Sequence, residues 1–240
     1  MQTKTIDGKI FEEMVRCSLQ YFSYFEDEIN MINVFPVSDG DTGSNMKYTL
    51  ENGINSASSS NNLGEYLKEL SKGMLFGARG NSGVILSQIF KGIYMSLKDK
   101  ASMTVNDFCQ ALVSGAEYGQ KAVIKPVEGT ILTVTREGIA QTLPTITVQA
   151  DIDFLSFFKI YLAHLQSVLE KTPEYLPVLK ANSVLDSGGT GYLKIMEGMK
   201  KCLANEIITP PKNPTEVKKQ ETAVSSKAGN FTKDSSFLLG

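Results

Sequence analysis

The chain has 240 residues, 42% apolar and 21% charged, which is globular composition with enough length for one large core or two small ones. Its 24 Lys and Arg against 26 Asp and Glu leave a net charge of −2, so the overall balance gives no argument for a nucleic-acid partner. No apolar run approaches the roughly 18 residues of a membrane span. The opening MQTKTIDGKIFEEM lacks the basic, apolar and small-residue order of a secretory signal, so a cytoplasmic protein is expected.

Helical periodicity dominates the chain. Ile10 or Phe11, Met14 or Val15, Leu19, Phe22, Phe25 and Ile29 form one apolar stripe, which predicts a helix ending near Ile32. Met46, Leu50 and Ile54 predict a second, and SASSSNN a loop. Leu63, Leu67, Leu70 and Met74 predict a third, closed by GARGNSG, and Ile85, Ile89, Ile93 and Leu97 a fourth. Thr104 and Asp107 have the spacing of a capping box and open a fifth helix through Phe108, Leu112 and Ala116. Ala111, Gly115, Ala116, Gly119 and Ala122 are small, so a neighbour can pack closely there.

KPVEGT interrupts, and a helix from about Thr130 to Gln141 follows. TITVQA, after Pro144, is strand-like in composition but has no second strand nearby and reads as loop. Asp151 and Asp153 are candidate caps for a helix carrying Phe154, Phe158, Leu162, Leu165 and Leu169. A last helix, after LDSGG, carries Leu193 and Met196 and runs to Leu203. The total is about eight helices and no sheet, an all-α fold. From residue 208 proline, lysine, serine and threonine take over, so 208–240 reads as a linker or flexible tail behind a domain of residues 1–207.

Cys17, Cys109 and Cys202 lie far apart inside helical patterns with no CxxC, which fits reduced, packed thiols rather than a zinc site. The single histidine, His164, falls on an apolar helix and reads as structural.

Four glycine-rich breaks remain: SDGDTGSN, GARGNSG, PVEGT and LDSGG. Each directly precedes a helix. In an up-and-down bundle alternate loops share an end, so these four can gather several helix N-termini, whose unpaired N–H groups and dipoles favour anions. Asp39 and Asp41, two apart around Gly40, can face one side and suit a hard, oxygen-seeking cation such as magnesium. Thr42, Gly43, Ser44 and Asn45 then form the first helical turn, with N–H and hydroxyl groups for phosphate. An EF-hand reading fails, because Ser44 and Leu50 stand where Gly and Glu are required. An Asp-Gly turn that merely caps a helix stays open as the plain alternative. Neither a Walker A motif nor a strand followed by GxGxxG occurs.

NVFPVSDGDTGSNM, GARGNSGVILSQIF, KPVEGTILTVTRE and LPVLKANSVLDSGGTGYL together resemble the nucleotide-binding (DhaL or DAK2-type) domain. That domain is shared by the ATP-binding subunit of bacterial fatty acid kinase and the L subunit of dihydroxyacetone kinase. The resemblance covers about residues 6–206, and NVFPV and GARGNSG are similar to the fatty acid kinase branch. It implies a barrel of eight antiparallel helices with ATP at one end. It also implies Mg2+ on Asp39 and Asp41, which would serve catalysis as well. The dihydroxyacetone branch has a further aspartate upstream; here Asn33 is the nearest oxygen ligand. By resemblance, phosphate contacts fall on Thr42, Gly43, Ser44 and Asn45, the second nucleotide loop on Asn81 and Ser82, the third on Gly129 and Thr130, and the fourth on Asp186, Ser187 and Gly188. Arg79 is a candidate phosphate or partner contact.

The activity so implied is transfer of the γ-phosphate to the carboxylate of a fatty acid held by a separate fatty-acid-binding (DegV-like) protein. A carboxylate is already ionised at neutral pH and needs no general base. A dihydroxyacetone kinase-type subunit, a nucleotide-binding regulator without activity of its own, and a plain helical structural domain are the alternatives. A homodimer is left open.

Overall fold

Apolar stripes at helical spacing need a partner surface, and here they find it in one another. The computed structural model describes residues 3–148 and 151–210. The described elements run β1 (Ile6–Asp7), α1 (Gly8–Ser23), α2 (Glu26–Met31), α3 (Thr42–Ser56), α4 (Leu63–Phe76), α5 (Gly80–Leu97), β2 (Ser102–Met103), α6 (Val105–Lys121), α7 (Ile131–Val148), α8 (Phe154–Glu170), α9 (Thr172–Tyr175), α10 (Pro177–Asn182) and α11 (Ser187–Leu203). Eight of these helices are long; α2, α9 and α10 are short connectors. Each long helix packs on the next, α11 returns onto α1, and α1 touches α3, so the ring closes. The interior is filled by side chains such as Phe11, Phe22, Phe90 and Phe108. Phe108 meets Phe154, Phe157 and Phe158 with ring centroids 6.1, 5.7 and 6.0 Å away.

The ends of the barrel differ in a way that places the site. At one end, here called the base, β1 pairs antiparallel with β2, with Ile6 opposite Met103. The backbone N–H of Gly8 donates to Asn61 (3.0 Å), that of Leu63 to Ala101 (3.0 Å) and that of Phe154 to Thr3 (3.1 Å). The N-termini of α1, α4, α6 and α8 therefore share the base. All four are capped by their own side chains: Asp7 accepts from Ile10 N, Asn62 from Glu65 N, Asp153 from Ser156 N, and Thr104 with Asp107 forms a complete capping box. Because the long helices alternate in direction, α3, α5, α7 and α11 all begin at the opposite end.

Four expectations change. The strand-like TITVQA is helical through Val148, the last described residue before 151, and Pro144 sits inside α7. Ile146 prolongs the buried stripe of Ile139 and Thr142, so burial outweighs β-propensity. A two-residue ladder, β1 with β2, exists where no sheet was expected; it is too short to leave a period-two pattern. The first helix does not run to Ile32 but breaks after Ser23 and resumes as α2. Of the two aspartates before α8 only Asp153 caps, while Asp151 pairs with Lys4 at 2.6 Å. The expected tail lies, from Pro211 on, outside the described residues. His164 holds α8 to α7, its Nδ1 2.9 Å from Thr142 Oγ1. The three cysteines are free, and burial pushes the Cys109 thiol up to about 11.

Candidate functional site

The four glycine-rich breaks meet at the end opposite the base. They wall a cleft of about 550 Å³, within the size range of small-molecule sites. Of the residues singled out above, Asn33, Asp39, Asp41, Thr42, Asn81, Ser82, Thr130, Asp186, Ser187 and Gly188 line it, and Gly43, Ser44, Asn45, Arg79 and Gly129 do not.

The first wall is the connection from α2 to α3. Gly40 has φ +66°, a left-handed conformation that lets the chain turn between the two aspartates. Asn33 is buried and donates from Nδ2 to Asp39 Oδ1 at 2.6 Å. Its own Oδ1 lies 3.5 Å from the Ser187 hydroxyl, which reaches across from the fourth loop. Asn33 is thus positioned to orient Asp39. Asp41 holds the N-cap position of α3, yet its carboxylate caps no N–H of that helix.

Behind this wall Ser44 faces away from the cleft. Its hydroxyl donates to Glu26 (2.9 Å) and accepts from Asn30 Nδ2 (3.0 Å), and its N–H donates to Asn30 Oδ1 (3.1 Å). Burial pushes the Glu26 carboxyl up, but Lys47 and Ser44 outweigh it and hold the group below its usual range. Gly43 presses on α2 so closely that a Cβ there would collide with the Glu26 carbonyl oxygen. Ser44 and Gly43 therefore fix α3 against α2.

The second wall is the start of α5. Gly80 has φ +58° and packs on the Asn45 amide, which is where Asn45 is engaged. Arg79, at the N-cap, gives α5 no side-chain cap. Its guanidinium lies over Tyr48, 3.5 Å from the ring centroid. The third wall comes from the α6–α7 connection. There Gly129 is buried against Tyr175 and Thr172, and its N–H donates to Thr133 Oγ1 at 2.9 Å.

The fourth wall holds the most constrained acid of the described chain. Asp186 is 4% exposed. Its Oδ2 accepts from Gly189 N at 2.7 Å, so it caps α11, and the Ile131 N–H at the start of α7 adds a second pull on the carboxylate. Burial pushes its carboxyl up to about 6 against the pull of those two N–H groups.

Motif reading missed the apolar side of the cleft, formed by Val84, Ile85, Val123, Ile131 and Leu132, and it missed Lys125. Ile85 and Ile131 read only as helix positions. Lys125 sits in KPVEGT, and its neighbours in that motif were the only signal. Among the described residues no cluster of three or more His, Cys, Asp or Glu side chains is arranged to hold a metal. Magnesium takes one or two carboxylates and completes its shell with water and phosphate oxygens. Asp39 and Asp41, with Asn33 steadying the first, fit it.

A model of the DAK2 domain matches residues 36–201. The chain belongs to the DAK2 domain family. Protein YloV of Bacillus subtilis (strain 168) is 39% identical over 210 residues, which are 87% of this chain and 38% of YloV. An uncharacterized protein of Staphylococcus saprophyticus is 41% identical over 206 residues, 85% of this chain and 37% of its own length. This DAK2 chain thus spans well under half the length of the curated relatives it matches. In three dimensions it is similar to the dihydroxyacetone kinase from C. freundii, whose crystal structure is in complex with AMP-PNP and Mg2+. The TM-score is 0.60 at 16% identity, over 83% of this chain and 35% of that one. At that identity the likeness is one of fold, and the fold shared is all-α. No helix among the described residues is long and apolar enough to cross a membrane.

Proposed function

We propose that residues 1–207 are the Mg-ATP-binding domain of a cytoplasmic kinase that phosphorylates the carboxylate of a fatty acid, presented by a separate DegV-like acyl-binding protein. One observation carries the reading: four helix N-termini converge on a cleft whose rim bears Asp39 and Asp41, and two of them, those of α3 and α5, have no side-chain cap, whereas all four at the opposite end do. Phosphoryl transfer needs positioning and charge neutralisation more than covalent chemistry.

Asp39 and Asp41 would hold a magnesium ion, which would supply charge neutralisation for the phosphates. Asn33 orients Asp39. The first turns of α3 and α5, through Thr42, Asn81 and Ser82, supply N–H and hydroxyl donors to the phosphates, and Thr130, Ser187 and Gly188 do so from the facing wall. Val84, Ile85 and Ile131 offer an apolar surface to the adenine ring. Gly43, Ser44, Asn45 and Gly129 support these walls from behind. The acceptor needs no general base, and His164 sits on the α7–α8 contact. The sequence resemblance of NVFPV and GARGNSG supports the fatty acid branch over the triose branch.

The test is calorimetric titration with AMP-PNP, with Mg2+ and with chelator. Magnesium-dependent binding is expected, and loss of it in the Asp39→Ala, Asp41→Ala double variant. Equal binding by that variant would remove the metal assignment. Turnover with an acyl-loaded binding protein but not with dihydroxyacetone is the expected acceptor pattern, and the opposite pattern would move the chain to the triose branch.

A further inference from the structure

The cleft is rich in negative charge before any ligand enters. Asp39, Asp41 and Asp186 line it, and a nucleoside triphosphate would add several more charges. Helix dipoles supply only partial positive charge at their N-termini. The magnesium ion read onto Asp39 and Asp41 would offset part of that charge, and a second full cation from the protein itself would offset more; one lysine lines the cleft.

Lys125 is the only Lys or Arg among the residues lining the cleft. Three cations close to the lining residues are committed elsewhere. Arg79 stacks on Tyr48, Lys47 pairs with Glu26 at 2.6 Å, and Arg136 forms a two-pronged pair with Glu128 at 2.8 and 2.9 Å. That last pair matters, because Glu128 is the only acid in the α6–α7 connection that carries Lys125. With Glu128 held by Arg136 and Thr133, the Lys125 ammonium is left uncompensated in its own loop. Val123 and Val127 on either side also line the cleft, so the loop is turned toward it. A lysine on a flexible stem acts as a mobile point charge for phosphate.

We propose that Lys125 is a catalytic cation of this site, whose ammonium contacts the terminal phosphate of the bound nucleotide, the group to be transferred. The inference rests on the nucleotide reading given above. It predicts that Lys125 distinguishes triphosphate from diphosphate, which a merely structural residue would not do.

The experiment is calorimetric titration of wild type, Lys125→Met and Lys125→Arg with AMP-PNP and with ADP, in Mg2+, at two salt concentrations; melting of the free proteins checks folding. The Met variant is expected to lose about tenfold in AMP-PNP affinity while its ADP affinity changes by less than about twofold. The Arg variant should recover most of the loss, and the gap between wild type and Met should narrow as salt rises. A Met variant that binds AMP-PNP as tightly as wild type overturns the inference alone. So does an equal loss of AMP-PNP and ADP. A wild type that binds neither ligand overturns the nucleotide reading and this inference with it.

Discussion

Asp186 carries a stability cost that can be measured without any ligand. The carboxyl is 4% exposed and pushed from an ordinary value of 3.8 up to about 6, first by burial and only partly offset by Gly189 N and Ile131 N. In the folded chain the group ionises only near pH 6, whereas in the unfolded chain it ionises near 3.8. Its stabilising contribution is therefore complete below about pH 3.8 and is lost as pH rises through about 6. A shift of about two units corresponds to about 3 kcal/mol in full, of which about 2 kcal/mol falls between pH 4.5 and 7.5. Asp186→Asn keeps the shape and one acceptor oxygen but cannot ionise. Urea unfolding of both proteins at the two pH values isolates the effect, since every other carboxylate cancels in the difference. The Asn variant should gain about 2 kcal/mol relative to wild type between pH 4.5 and 7.5. Parallel pH profiles would refute the reasoning, because Asp186 would then be solvated rather than enclosed between two helix ends.

Other substitutions separate scaffold from site. Gly80→Ala forces a Cβ onto φ +58° and into the Asn45 amide; a loss of about 1–2 kcal/mol is expected by thermal melting, with weaker AMP-PNP binding in calorimetry. Ser44→Ala removes the hydroxyl bonds to Glu26 and Asn30. It should cost about 1–2 kcal/mol by denaturant unfolding and leave nucleotide affinity unchanged, and a large affinity loss would return Ser44 to the site. Thr104→Ala opens the capping box at the base, with about 1 kcal/mol lost and no change in binding, measured the same two ways. Phe108→Ala empties the centre of the α6–α8 aromatic cluster and should cost about 3–5 kcal/mol in urea unfolding.

The helices were legible because their cause is local. Apolar residues every three or four positions mark a buried face, and Thr104 with Asp107 marks a helix start regardless of what lies beyond. The ending of α7 was not legible, because what keeps TITV helical is burial of Ile146 in the core, and a window of sequence holds no record of that. The loops could be picked out as glycine-rich helix starts, but which side chains turn inward is a three-dimensional outcome. Ser44 and Thr42 stand two apart in one turn, yet Asn30 and Glu26 draw Ser44 outward while Thr42 lines the cleft. Arg79 likewise follows a glycine-rich break, and only the fold brings Tyr48 beneath it. Asp186 shows the same limit: a DSGG string reveals a helix cap, but not that the capping carboxylate is buried beside the start of a helix far away in the chain.

The unequal capping of the barrel ends has a kinetic consequence. At the base, one first-turn amide of each helix (Ile10, Glu65, Asp107 and Ser156) is held by Asp7, Asn62, Thr104 or Asp153, so those hydrogens should exchange slowly with solvent. At the other end neither Asp41 nor Arg79 caps the helix it opens, and the first-turn amides of α5 should exchange fast in the free chain. An anion that accepts from those amides completes the hydrogen bonding of α5, so occupancy of the cleft and rigidity of that end become one quantity. At a ligand concentration a hundred times its dissociation constant this adds about 2.7 kcal/mol to the folded state. Exchange protection appearing at Gly80–Ser82, with the base unchanged, would locate that stabilisation residue by residue.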